Sequence, residues 1–230
     1  MPSGRGRAAS VDSAGDELTY RVGGHEDLLA AARLYLVSFP ETLAQIRAPD
    51  LTPHPVADVM AACLAAEPDC LCVAQTQGRL VGYVIAVVNV RRVWRAAVFR
   101  GLALRWVARW IRGLYRLPLR SSAILLEDQI AGWRSSCRST AECPSRILSI
   151  AVAPEWRGRG VGTALLKAGL ARLRRAGARC VRLEVRPTNV AARRMYERAG
   201  FRDVGRMRDA RGEWEIMLLD LKTADAPCAS

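Results

Sequence analysis

"PEWRGRGVGTALL", residues 154–166, sets three glycines and two arginines within six positions and then turns apolar. Glycines at 158, 160 and 162 leave one side of the backbone bare, so its N–H groups can be approached closely. Upstream, "RILSIAV" (146–152) reads as a buried strand. Downstream, "VGTALLKAGLARLRRAG" carries Val161, Leu165, Ala168 and then Ala171 or Leu173 at helical spacing, and Gly177 stands where a helix stop is expected. The order is strand, glycine turn, helix start. That arrangement makes an anion site, because a helix start offers unpaired N–H donors and the positive end of the helix dipole.

Several loops of this kind exist. A Walker-type phosphate loop needs Lys and then Ser or Thr directly after its last glycine, whereas Gly162 is followed by Thr163 and Ala164. A dinucleotide fingerprint needs Gly-x-Gly-x-x-Gly, and the spacing here is Gly-x-Gly-x-Gly. Glu184 does lie about 20 residues on, as that fingerprint requires, but too little chain follows for the second half of such a fold. A plain glycine-containing strand-to-helix connection is the remaining reading. The turn alone does not choose.

The next stretch chooses. "CVRLEVRPTNVAARRMYERAGF" (180–201) reads as a second strand, a proline turn, and a helix opened by Asn189 and closed by Gly200, residues suited to those caps. Together the two stretches resemble the acetyl-CoA-binding half of the GNAT superfamily of N-acetyltransferases. The family's Arg/Gln-x-x-Gly-x-Gly/Ala signature is met by Arg157, Gly160 and Gly162. Its Asn-x-x-Ala-x-x-x-Tyr-x-x-x-Gly-Phe segment is met by Asn189, Ala192, Tyr196, Gly200 and Phe201. The resemblance is close over 146–221 and holds by pattern over about 18–90. "IAV", "LEVR" and the Asn-to-Phe segment are most similar to ribosomal-protein alanine N-acetyltransferase and relatives that modify protein N-termini.

The resemblance implies a mixed α/β GNAT fold, with a mostly antiparallel, splayed central sheet flanked by helices. It implies transfer of an acetyl group from acetyl-CoA to a primary amine by direct attack in a ternary complex. The coenzyme A pyrophosphate is then expected on the N–H groups of Gly158, Arg159, Gly160, Val161, Gly162 and Thr163, with Arg157 or Arg159 adding charge. The pantetheine arm is expected along the open strand edge at Ile150, Ala151 and Val152. Asn189 and Ala192 complete the cofactor contacts. Tyr196 is expected to donate a proton to the departing thiolate, which a neutral phenol can do; by position alone it is an aromatic packing residue. Glu184 is expected as general base. Strand alternation sets it with Arg182 and Arg186, opposite Val181, Leu183 and Val185, so a charge ladder is its other reading.

Composition bounds the rest. The chain has 230 residues, 50% hydrophobic, and a formal net charge of +13, which suits an acidic partner such as coenzyme A. No nucleic-acid-binding module is recognisable, so no specific nucleic-acid partner is expected. Residues 1–17 are small and polar without an apolar run, and are expected to be a disordered tail with no secretory signal. A cytoplasmic location follows as an expectation, as does a second tail over 223–230. Seven cysteines with no Cys-x-x-Cys pair read as free thiols, and His25 and His54 are assigned neither metal nor catalysis.

The domain is expected over 18–222. "LTYRVGG" reads as its first strand, "HEDLLAAARLYLVSF" and "PVADVMAACLAAE" as helices, and 70–90 as a hairpin turning at 75–78. "DVGRM" and "EWEIMLLDL" read as the closing strand pair. The relatives that acetylate protein N-termini usually carry two tyrosines there, where this chain has "MRDARGEW". The larger departure is an insertion over about 91–145. Its segment 91–120 contains nine arginines and no acid. Arg105, Arg109, Arg112 and Arg116 share one helical face, with Leu104, Val107, Ala108, Ile111, Leu114 and Tyr115 largely opposite and Trp106 and Trp110 near the boundary. The pattern predicts a helix over 93–116 laid on the domain as a lid. A membrane-surface contact over 91–120, or contact with an anionic substrate, are its other readings. Two further activities stay open: a non-catalytic acyl-CoA-binding or membrane-docked module, and transfer of a longer acyl chain.

Overall fold

The computed structural model describes residues 8–11, 17–45, 51–99, 102–114, 143–209 and 212–221. Eight strands form one sheet: β1 (Ala8–Val11), β2 (Glu17–Val22), β3 (Leu71–Thr76), β4 (Arg79–Val87), β5 (Arg146–Val152), β6 (Cys180–Val185), β7 (Arg202–Asp209) and β8 (Gly212–Asp220). Their order is β1-β2-β3-β4-β5-β6-β8-β7. Every pairing is antiparallel except β5 with β6. The helices are α1 (Leu28–Ser38), α2 (Pro40–Gln45), α3 (Pro53–Ala66), α4 (Val90–Phe99), α5 (Leu102–Ile111), α6 (Val161–Arg175) and α7 (Val190–Arg198). This is the expected mixed α/β architecture.

The centre of the sheet is covered on both sides. Gly82 and Gly169 mark one face: a Cβ on Gly82 would meet Leu165 and Val161 of α6, and one on Gly169 would meet Ala86 and Val84 of β4. Tyr83, Ile85 and Val87 alternate to the other face, where α1 packs, and all three are at most 3% exposed. A strand buried on both faces reads as a continuous apolar run, which is what "LVGYVIAVV" is.

Several expectations change. Residues 8–11, assigned to a disordered tail, pair with β2 as an edge strand, because β2 otherwise has an open ladder there. The rest of that tail and residues 223–230 lie outside the described residues. The β3–β4 turn is confined to Gln77 and Gly78, both at positive φ, while Gln75 and Thr76 continue the strand. Cys143 and Cys180 form a disulfide. Sequence spacing concealed it: the parallel pairing of β5 with β6 brings together two segments 37 residues apart. Cys63, Cys70 and Cys72 are free, as expected, and burial pushes the Cys72 thiol up to about 11 and that of Cys63 to about 12. Cys137 and Cys228 fall outside the described residues.

The insertion also differs. It contains two helices, α4 and α5, where one was expected. A lid resting on its apolar face would bury Leu104, Val107 and Ile111, yet these are 76%, 53% and 72% exposed. The side turned to the domain instead offers Trp106, packed at the edge of the core, and Arg109, ion-paired with Asp58 of α3.

One carboxylate fastens the elements around β4. Glu67, 6% exposed just after α3, accepts from the N–H groups of Val88 and Asn89 at 2.9 and 3.0 Å. It also accepts from Arg172 of α6 at 2.7 Å, and Arg172 in turn donates to the Ala86 carbonyl at 2.8 Å. A buried charge that loses its partner is costly. Glu67→Ala is expected to destabilise the fold by about 3 kcal/mol, the lower end for a broken buried pair, because Asp69 and the Ala86 carbonyl still hold the guanidinium. Urea titration checks this; a loss below about 1 kcal/mol would assign the cluster a minor role.

Candidate active site

β5 and β6 touch once. Their register contains the single pair Arg146↔Arg182, supported by the Arg182 N–H donating to the Ser145 carbonyl at 3.0 Å. Against β4, the pairing runs Ile85↔Ser149 and then Ala86↔Ile147, so Leu148 is an extra, bulged residue on β5. A bulge bends and twists its strand, and here it sits where β5 leaves β6. The two strands part as a wedge. Ala153 donates to the Val81 carbonyl at 2.8 Å, so backbone groups at odd positions point to β4. By alternation those of Ile150 and Val152 point into the opening. Ala151, expected at the cofactor, is 5% exposed and pairs with Tyr83 of β4, so its backbone points the other way.

The glycine turn lies at the end of β5. Arg157 donates through Nε to the Val152 carbonyl at 3.0 Å, tying the turn to the strand, and Arg159 lies over the Trp156 ring at 5.0 Å. Gly158 and Gly160 have φ of +76° and +83°, a region costly to any residue with a Cβ. Nothing lies within 4 Å of a Cβ built on either, so the bare side of the turn faces open space. Among the described residues no side chain caps α6. Its first N–H groups, at Val161, Gly162 and Thr163, therefore remain as donors for an anion. The turn and the Ile150–Val152 edge are continuous, which fits a ligand with phosphates at one end and an amide-bearing arm.

α7 crosses beside this slot. The Asn189 side chain caps it, accepting from the Ala192 N–H at 3.1 Å. A Cβ on Gly162 would meet Met195 of α7 at 3.4 Å and Val152 at 3.6 Å, so turn, strand and α7 converge. Tyr196 on the same helix is 5% exposed with its ring 5.8 Å from that of Phe201. Burial pushes its phenol pKa well above the ordinary value, keeping it protonated and able to donate. Glu215 of β8, 2% exposed, fixes the helix through an ion pair with Arg193, whose Nε lies 2.7 Å from its Oε2.

Glu184 lies on β6, the strand that leads into this helix. Its Oε1 is 2.8 Å from Arg146 Nη1 and 2.9 Å from Arg182 Nε. The ladder of charges read from the sequence exists, but it is inside: Arg146 and Arg182 are 7% and 4% exposed. Both contacts use Oε1. Beyond Glu184 the same face carries Arg186, stacked 4.0 Å over the Trp214 ring and bonded to Gln45 and Thr42 of α2. Sequence reading missed Thr42 and Gln45. The only sequence signal was Pro40, which opens the short helix carrying them.

The model of the acetyltransferase (GNAT) family matches residues 31–201. The chain belongs to the GNAT acetyltransferase family, whose members take acetyl-CoA and an amine acceptor. It is 52% identical over 52 residues to mycothiol acetyltransferase of Nocardiopsis dassonvillei, a match covering 23% of this chain and 16% of that one. The chain thus spans only a small part of that relative's length. Among solved structures it resembles SsHAT, with TM-score 0.67 and 22% identity over 88% of this chain and 98% of the other. It also resembles a polyamine N-acetyltransferase of Drosophila melanogaster, with TM-score 0.61 and 18% identity over 89% and 100%.

The turn generates a direct test. Gly160→Ala is expected to cost about 1–2 kcal/mol of stability, from φ alone. Coenzyme A affinity by calorimetry is expected to fall about tenfold or more if phosphate binds on the bare side of the turn, because the added methyl would stand there. A folded variant with unchanged affinity would remove the turn from the binding site.

Proposed function

We propose that the chain transfers an acetyl group from acetyl-CoA to a primary amine, a protein N-terminus or a small-molecule amine, by direct attack in a ternary complex. The single pairing of β5 with β6, open beside an uncapped α6, is the observation that carries this reading. Arg157, Gly158, Arg159, Gly160, Val161, Gly162 and Thr163 hold the pyrophosphate. Ile150 and Val152 pair with the pantetheine amides. The Val152 carbonyl is already taken by Arg157, so its N–H and both backbone groups of Ile150 carry that role. Asn189 and Ala192 hold the start of α7 against the ligand.

The amine attacks the thioester carbonyl carbon, the C–S bond breaks, and the sulfur leaves with the electron pair. Tyr196 supplies the proton to that sulfur, its phenol kept neutral by burial. Glu184 takes the proton lost by the amine through Oε2, directly or through a water, while Arg146 and Arg182 fix the carboxylate from Oε1. The acceptor enters over the face of Arg186, Trp214, Thr42 and Gln45. The named polyamine activity of one structural neighbour supports including small polyamines with N-terminal peptides in the acceptor panel.

Thiol release from acetyl-CoA with that panel tests the activity. A non-catalytic binding module would release none above the amine-free background. Tyr196→Phe is expected to lower kcat about 10²-fold with little change in cofactor affinity. Near-normal turnover, with chemistry shown to limit the rate, would return Tyr196 to packing. Glu184→Gln is expected to lose most at low pH, where unaided amine deprotonation is scarcest; a loss independent of pH would make Glu184 a positioning residue.

A further inference from the structure

The insertion carries a surface that acetyl transfer does not use. Of the ten large apolar residues exposed among the described residues, four lie within one segment: Leu104, Val107, Ile111 and Leu114. The first three are three and four residues apart, so they form one stripe on α5. Isolated exposed apolar residues are ordinary, but a contiguous stripe marks a contact surface.

The stripe cannot turn inward. Trp106 and Arg109, on the opposite side of α5, engage the core edge and Asp58, and the Thr52 hydroxyl donates to the Leu114 carbonyl at 3.1 Å. The segment that carries the stripe is cationic. Residues 91–112 include seven arginines and no aspartate or glutamate. Arg91, Arg92 and Arg95 on α4 and Arg112 just beyond α5 are exposed, and Trp110 is half-buried at the border of the stripe. No helix among the described residues is long and apolar enough to cross a membrane.

We propose that α5 docks on an anionic lipid bilayer surface, with Leu104, Val107 and Ile111 entering the acyl boundary and the neighbouring arginines meeting the headgroups. Charge decides for this occupant. An interfacial helix combines an apolar stripe with a basic border, and anionic lipid supplies the opposite charge. A second copy of the chain would bring the exposed Arg91, Arg92, Arg95 and Arg112 of each insertion against one another. The helix is short, with ten residues, so the docking is reversible and sensitive to salt.

The test is co-sedimentation of the full chain with vesicles of equimolar phosphatidylglycerol and phosphatidylcholine, and with phosphatidylcholine alone. Binding is expected only to the anionic vesicles and is expected to weaken as salt rises. Ile111→Glu should reduce it about tenfold. Val22→Glu, which makes the same charge change at a 56% exposed position on β2, should leave it unaltered. Neither change should alter acetyl-CoA turnover in free solution, so the result is independent of the acceptor's identity. Absence of binding to anionic vesicles at low salt, or equal binding by the Ile111 variant, overturns the proposal. So does a dimer in sedimentation velocity that Ile111→Glu abolishes, which would assign the stripe to a second copy.

Discussion

Two parallel strands that share one residue pair and then separate set the terms for the rest of the molecule. A fully zipped β5–β6 ladder would leave no backbone edge for a ligand. A complete break would lose the continuity of the sheet. The bulge at Leu148 starts the divergence from one strand. The base of the wedge is held shut by the Cys143–Cys180 disulfide and by the Arg146–Glu184–Arg182 cluster. The slot is therefore closed at one end by covalent and ionic links. At the other it opens directly onto the glycine turn.

Holding the wedge with buried charges carries a cost. Burial pulls the Arg146 guanidinium below its ordinary pKa, Glu184 opposes that shift and Arg182 adds to it. Buried ion pairs are weak sources of net stability, because desolvation offsets most of their attraction. Their contribution here is geometric: they hold the Glu184 carboxylate at the base of the wedge through Oε1. The Glu67–Arg172 pair and Glu215 do similar work farther out, setting α6 and α7 against the strands that border the slot.

The insertion obeys a different balance. Its two helices bury Val90, Val93 and part of Trp94 and Trp106, so they are anchored to the domain. The remaining apolar side of α5 faces outward. An amphipathic pattern records that two faces differ, and the polar face is the one that docks when it carries a tryptophan and an arginine with an ionic partner on the domain. Asp58, on a helix some fifty residues earlier in the chain, decided the orientation.

The sequence by itself determined the order of strands and helices outside β1, α2 and the insertion, the glycine turn, the cap at Asn189 and the placing of Tyr196 on its helix. Each depends on local backbone preference or on a period of two or 3.6, which neighbouring residues carry with them. It also determined the family resemblance, since the glycine turn and the Asn-to-Phe segment lie within one stretch of chain. Only the tertiary structure decided which side of β5 is open, that Ala151 faces β4, and that Arg182 is buried beside Glu184. Only it brought Cys143 to Cys180, Thr42 and Gln45 to Arg186, and residues 8–11 to the sheet edge. These pairings join residues far apart in the chain, and side-chain type and spacing carry no record of which distant segment will lie alongside.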